Sequence, residues 1–355
     1  MNYTKIDMLQ NDPVQSISSS NGSGMSATEH MKAVGVPQDL QTKLLEQLAR
    51  VTPDRPNEIL SKYVEWIVRL PWEKRTTDTL EITKAAEVLE KEHYGLTDLK
   101  HRVLEYISVL MLQRQQKMMQ TIHSPILFFV GLAGTGKTTF AKSVATALGR
   151  SFVRIPFGGL SSVYDLRGLS KVTPQAEPGL IMKALVQCKS KNPVILLDEL
   201  DRVTPEARAG IMGVLIELLD PEQNAHFMDH YIDYPFDLSE VIFIATANNS
   251  TTISTAVLDR LEVIQMPSYS DEEKITIGKK FLLPNLLQNS GLAPSAVTVS
   301  DDVWTAIARA SGYDPGIRSV ERKVEAIVRK AAFKIVSGQG KSFAINEGSM
   351  KEWTQ

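Results

Sequence analysis

The chain has 355 residues, 43% of them hydrophobic and 23% charged, with a formal net charge of −2. That is enough for roughly two or three folded domains and argues against disorder throughout, and the near-neutral charge does not suggest a dedicated nucleic-acid binder, although it leaves room for a local basic patch. The lone Cys188 excludes an intramolecular disulfide and reads as a small buried residue in a reducing compartment.

Residues 1–28 are rich in serine, with Asn21, Gly22 and Gly24, and read as a flexible tail. Met1–Asp7 lacks the apolar segment of a signal peptide, and no arginine precedes Arg50, unlike a transit peptide. No apolar run approaches the roughly 18 residues that cross a bilayer, and Trp353-Thr354-Gln355 is not a peroxisomal terminus. These features lead us to expect an intracellular, cytoplasmic protein without a membrane partner; a peroxisomal or mitochondrial-matrix location is the alternative.

From Pro37 the pattern turns helical. Leu40, Leu44, Leu45 and Leu48 mark one helix, and Ile59, Tyr63, Trp66 and Ile67 a second, stopped by Pro71. They form a short helical module over 29–80 whose expected role is packing against the next domain. Thr83–His93 and Thr97–Gln120 read as helices around Gly95. Ile126–Val130 is a continuous apolar run, the mark of a strand buried on both faces. Gly131-Leu132-Ala133-Gly134-Thr135-Gly136-Lys137-Thr138 follows and fits G-x-x-x-x-G-K-[ST], the P-loop, with a helix over Phe140–Gly149 behind it. Further strands are expected at Phe152–Ile155, Val194–Leu197, Val241–Ala245 and Val263–Met266, with helices at Gly179–Lys191 and Ala207–Leu219. The alternation predicts an α/β domain over 81–267, a parallel five-stranded sheet sandwiched by helices. After Pro267 no strand is expected. Asp271–Asn289, Asp301–Ser311 and Ile317–Ser337 read as three helices of a small all-α lid domain over 268–338, and 339–355 as a C-terminal tail.

The chemistry gathers around the P-loop. Its glycines let successive N–H groups turn inward on a phosphate, and the following helix aims its positive end at the same anion. Gly131, Gly134, Thr135, Gly136, Lys137, Thr138 and Thr139 are therefore candidate ATP-binding residues, with Lys137 reaching the β- and γ-phosphates and Thr138 on Mg²⁺. Val194–Leu197 delivers Asp198 and Glu199, an apolar strand ending in two acids. Asp198 is the candidate magnesium residue, and Glu199 the base that orients and partly deprotonates the attacking water. Asn248, at the end of the next apolar strand, can hold that water or the γ-phosphate in line. Arg260 could supply a bidentate arginine finger and Arg318 a sensor of the nucleotide, although a lone arginine usually faces solvent. His226 and His230 have zinc-protease spacing, but Phe227 stands where the general-base glutamate would be, so no metal site is expected there.

The order P-loop, Asp198-Glu199, Asn248, Arg260, Arg318 resembles that of AAA+ ATPases. His93-Tyr94-Gly95-Leu96, Pro71-Trp72, Leu197-Asp198-Glu199-Leu200-Asp201, Leu219-Asp220-Pro221-Glu222-Gln223-Asn224, Asp229-His230-Tyr231 and Leu258-Asp259-Arg260 make it similar to the ATPase module of Lon proteases, over about residues 37–338. The resemblance implies ATP hydrolysis with Mg²⁺ by a homo-oligomeric, hexameric ring. It implies that Tyr94 and Gly95 border the adenine, that Arg260 reaches the neighbouring subunit's nucleotide, and that Arg318 acts on its own. It also implies unfolded proteins or an intact Lon as partners, in protein quality control. Three departures shape the expectation. A Lon protease continues into a Ser–Lys peptidase domain, whereas this chain stops shortly after Ser337, so no peptidase site of its own is expected; a fragment of a complete protease is the alternative. Arg167-Gly168 and Pro178-Gly179 align with the substrate-gripping pore loop, but its aromatic–aliphatic–glycine step falls on Thr173, Pro174 and Gln175. This change favours a nucleotide-dependent scaffold that threads nothing. The family's Gly-Asp-Pro becomes Ala209-Gly210-Ile211, and its large N-terminal domain has no counterpart here.

Overall fold

The computed structural model describes residues 27–51, 57–115, 126–309, 314 and 316–354. The expected tail up to residue 26, and the expected helix beyond Gln115, lie outside them. Among the described residues the strands are, in chain order, β1 (Ile126–Val130), β2 (Phe152–Pro156), β3 (Val194–Asp198), β4 (Phe227–Met228), β5 (Pro235–Phe236), β6 (Ile242–Ala247), β7 (Leu261–Gln265), β8 (Val297–Val299) and β9 (Phe343–Ile345).

Strand β1 is apolar at every position because helices cover both faces of its sheet. Phe128 and Val130 enter one core, and Leu127 and Phe129 the other. Ile195 and Leu197 of β3 divide from Val194 and Leu196 in the same way. The sheet is parallel throughout, in the order β2-β3-β6-β1-β7. The ends of β1, β3 and β6 therefore lie side by side along one edge, where such sheets take their ligands.

The helical module packs on this domain. Helix Glu58–Arg69 buries Leu60, Tyr63, Val64 and Ile67, and burial of Val64 and Ile67 contributes roughly 1.5–3 kcal/mol each. Ile59, expected on that stripe, is instead 59% exposed, since its neighbour Leu60 carries the phase. The Tyr63 hydroxyl donates to the Ile232 carbonyl at 2.6 Å, and the Trp72 ring lies 5.0 Å from that of Phe236.

The lid begins with helix Asp271–Ile277, started by a capping box between Ser270 and Glu273. A wider turn over Gly278–Leu282 joins it to Leu283–Asn289. Helices Asp301–Arg309 and Arg318–Val336 complete its core around Trp304, Val324 and Ile327. The lid is not all-α: β8 and β9 pair in parallel. Three-residue strands carry too little alternation to be read beforehand. Nor do residues 339–355 form a tail, because β9 and helix Met350–Thr354 belong to the lid, with Trp353 4% exposed against Phe343.

Candidate nucleotide site

The helix after β1 starts at Lys137, three residues before the expected Phe140, because Gly136 caps it in a left-handed conformation with φ 91°. Gly134 is also left-handed, at φ 85°. A side chain is strained at both positions. Most of the loop's carbonyls accept hydrogen bonds from within the protein. Those of Gly131 and Leu132 accept from the Lys137 ammonium at 2.5 and 2.9 Å, that of Gly134 from the Ile317 N–H at 3.1 Å, and that of Thr135 from the Tyr269 hydroxyl at 3.3 Å. The Thr139 hydroxyl closes on Gly136 at 2.8 Å. Among the described residues, no N–H from Leu132 to Gly136 donates to a protein acceptor. A row of unpaired donors at a helix N-terminus fits a phosphate chain.

Lys137 is 8% exposed, and burial lowers its pKa although Asp198 and Asp201 oppose the shift. Its ammonium also reaches Asn248 Oδ1 at 3.3 Å. The Thr138 hydroxyl lies 3.4 Å from both oxygens of Asp198. A hydroxyl beside a buried carboxylate is an oxygen-donor pair that suits Mg²⁺. Glu199 takes a left-handed backbone at φ 61°, with its N–H on the Thr246 hydroxyl at 2.9 Å. Its carboxylate lies 3.6 Å from the Arg202 guanidinium. For a residue other than glycine that backbone is costly, and such strain concentrates at functional positions. The Asn248 N–H is held by Asp201 at 3.2 Å.

The lid supplies the opposite wall. A side chain on Gly134 would meet Arg318 Cγ at 3.2 Å and Gly316 Cα at 3.3 Å. Arg318 therefore lies against the loop at Gly134, and its charge, like those of Asp198 and Glu199, is felt by Lys137. Tyr94 is 37% exposed, and Gly95 has φ 64° and faces the Glu273 carboxylate of the lid. Their tie to the P-loop helix is indirect: His93 Nε2 bonds the Ser143 hydroxyl at 2.8 Å. Burial pushes the His93 imidazole down to about 4. Arg260 is elsewhere. Its guanidinium donates to the Ala256 carbonyl at 2.8 Å and to Asp220 at 3.2 Å.

Four participants escape sequence reading. Arg154 and Thr246 bond the Asp198 carboxylate, Asp201 bonds Asn248, and Tyr269 bonds Thr135. Asp201 alone had a signal, as part of the Leu197–Asp201 motif. The others are brought in by strand register and by the lid.

Residues 127–269 match the family described as ATPases associated with various cellular activities, and residues 288–343 match the Lon protease AAA+ ATPase lid domain. Lon protease from Desulforamulus reducens is 39% identical over 321 residues, which cover 89% of this chain and 39% of that protein. Lon protease 2 from Thermus thermophilus is 41% identical over 316 residues, covering 87% and 39%. Lon protease 1 from Bacillus subtilis is 38% identical over 336 residues, covering 94% and 43%. The chain thus spans about two fifths of the length of the curated relatives it matches. No helix among the described residues is long and apolar enough to cross a membrane.

Proposed function

Because this chain carries the AAA+ ATPase module of the Lon protease family, we propose that it binds ATP with Mg²⁺, hydrolyses it within a ring of like subunits, and serves ATP-dependent protein turnover. The observation that carries this reading is the convergence of Lys137, Thr138, Asp198 and Asn248 on one loop of unpaired N–H donors. Gly131, Gly134, Thr135, Gly136, Lys137, Thr138 and Thr139 would hold the phosphates, and Tyr94 and Gly95 would border the adenine. Thr138 and Asp198 would hold the metal, which when bound neutralises phosphate charge and polarises the phosphoryl oxygens. Glu199 takes the proton of the attacking water, and Asn248 orients that water. Arg318 adds positive charge from the same chain's lid.

Ring assembly is supported by where Arg260 sits. Its carbonyl accepts from the Ile126 N–H at the start of β1, whereas the P-loop follows the strand's other end. Five residues of strand span roughly 16 Å, more than an arginine side chain reaches. A finger at Arg260 therefore serves a nucleotide on another chain, as closed assemblies allow. The coverage of about two fifths of its relatives favours a second reading, in which the same module feeds a peptidase that lies beyond these residues.

The experiment pairs phosphate release with nucleotide affinity. Glu199→Gln keeps binding and loses turnover by at least about a hundredfold, the range for removal of a general base. Lys137→Ala loses binding. Undiminished turnover in Glu199→Gln would refute the assignment.

A further inference from the structure

We propose that Arg154 is the resident counter-cation of Asp198, which magnesium displaces on arrival. The proposal rests on the reading that Asp198 faces the metal. Arg154 lies on β2, two residues before Pro156, whose register partner on β3 is Asp198. Its guanidinium Nε donates to Asp198 Oδ2 at 2.5 Å. The other carboxylate oxygen accepts from the Thr246 hydroxyl.

The Asp198 side chain is 3% exposed, too buried to hold its charge without a partner. Lys137 does not bond it, because its ammonium is committed to Gly131, Leu132 and Asn248. The Thr138 hydroxyl, at 3.4 Å, brings no charge. Arg154 is the cation that bonds the carboxylate and holds it where the metal will need it.

A divalent cation cannot share that oxygen with a guanidinium at hydrogen-bond distance, since like charges so close repel strongly in a site shielded from water. The Arg154 side chain is 49% exposed, so it can swing into solvent with little desolvation to undo. Asp198, fixed by β3 and Thr246, stays. Arg154 therefore holds the Asp198 carboxylate in place before a metal binds, and raises the Mg²⁺ concentration needed to displace it.

The test titrates Mg²⁺ against the full chain in the presence of a fluorescent ADP analogue, with a parallel EDTA arm. Bound Mn²⁺ is followed by electron paramagnetic resonance, and melting without nucleotide is recorded. Arg154→Gln is expected to lower the Mg²⁺ midpoint roughly three- to tenfold, the scale of a half-exposed charge-assisted pair. It should also lower the melting temperature of the nucleotide-free chain and leave affinity in EDTA intact. Arg154→Lys, which keeps the charge but loses the planar fork, should give a smaller shift of the same sign, and it decides the matter if Arg154→Gln does not fold. An unchanged or raised midpoint in a folded variant overturns the proposal. So does an equal loss of affinity with and without Mg²⁺, which would make Arg154 a phosphate ligand. Asp198→Asn separates the two claims: if it leaves the magnesium dependence intact, the metal reading itself fails, whatever Arg154 does.

Discussion

Gly316 is the point where the lid touches the P-loop backbone, and Gly316→Ala tests how closely hydrolysis depends on that seat. A methyl group there would lie 2.5 Å from the Gly134 carbonyl carbon and 2.6 Å from the Ala133 oxygen. Both are backbone atoms, so no side chain can turn aside. Ordinary contact begins near 3.4 Å, so the lid must retreat by about 0.9 Å. The neighbouring Ile317 N–H to Gly134 bond would lengthen from 3.1 Å to about 4 Å and be lost. Overpacking and one lost hydrogen bond together cost about 2–4 kcal/mol. The same retreat draws Arg318 back from the loop at Gly134, and a displacement near 1 Å lowers a rate by on the order of a hundredfold. Phosphate release at saturating ATP, with melting curves in the presence and absence of ADP, reads both effects. Gly213→Ala is the control. It lies in helix Pro205–Leu218 with nothing within 4 Å of the added methyl, and should stabilise by about 0.5–1 kcal/mol. Hydrolysis and melting of Gly316→Ala indistinguishable from wild type would refute the seat.

Asp220→Ala removes the carboxylate that holds Arg260, and should lower hydrolysis less than Arg260→Ala does. Arg260→Ala mixed with Glu199→Gln should regain activity that neither shows alone, and additive traces would count against a finger acting between chains. His93 has its pKa pushed from 6.5 to about 4, so the unfolded chain binds the extra proton between those values. Stability is therefore fully present above about pH 6.5 and declines by up to about 3 kcal/mol as pH falls to 4. His93→Gln should flatten that part of the urea-unfolding profile, and an unchanged slope would exclude His93 as its source. Gln175, in the segment whose resemblance to a pore loop implies glycine, holds a left-handed φ of 60°. Gln175→Gly should stabilise by about 1 kcal/mol, and adding Thr173→Tyr should make hydrolysis respond to an unfolded protein; a flat response would argue against a pore-loop role.

Much of this was legible because a buried parallel sheet demands apolar runs, and the runs at Ile126–Val130, Val194–Leu197 and Val241–Ala245 have few other uses. The P-loop spacing then identified the edge at which chemistry sits. The misses have physical causes. The helix begins at Lys137 rather than Phe140 because the left-handed Gly136 turns the loop directly into helix, so the loop's last residues serve both. Strands β8 and β9 are too short for periodicity, and Trp353 reveals its burial only once helix Met350–Thr354 has folded back on the lid. Arg154 and Thr246 lie 44 and 48 residues from Asp198 along the chain, and only strand register brings them to it. An arginine in an alternating strand looks like an ordinary solvent-facing residue.

The arrangement of the P-loop's carbonyls links that register to the lid. Gly131 and Leu132 are fixed from within the sheet domain, by Lys137. Thr135 and Gly134 are fixed by Tyr269 and by Ile317, beside Arg318. Burial pushes the Tyr269 hydroxyl up to about 12, so it stays a protonated donor to Thr135 across neutral pH. Each peptide plane carries its carbonyl and its N–H at opposite ends, so fixing a carbonyl also fixes the direction of the N–H behind it. A lid that moves away therefore frees two carbonyls and loosens the donors between them. By linkage, whatever phosphate affinity is lost when the lid opens is returned as lid closure when phosphate binds. On the proposed reading, nucleotide occupancy and lid position would therefore be linked through the backbone from Gly131 to Gly136.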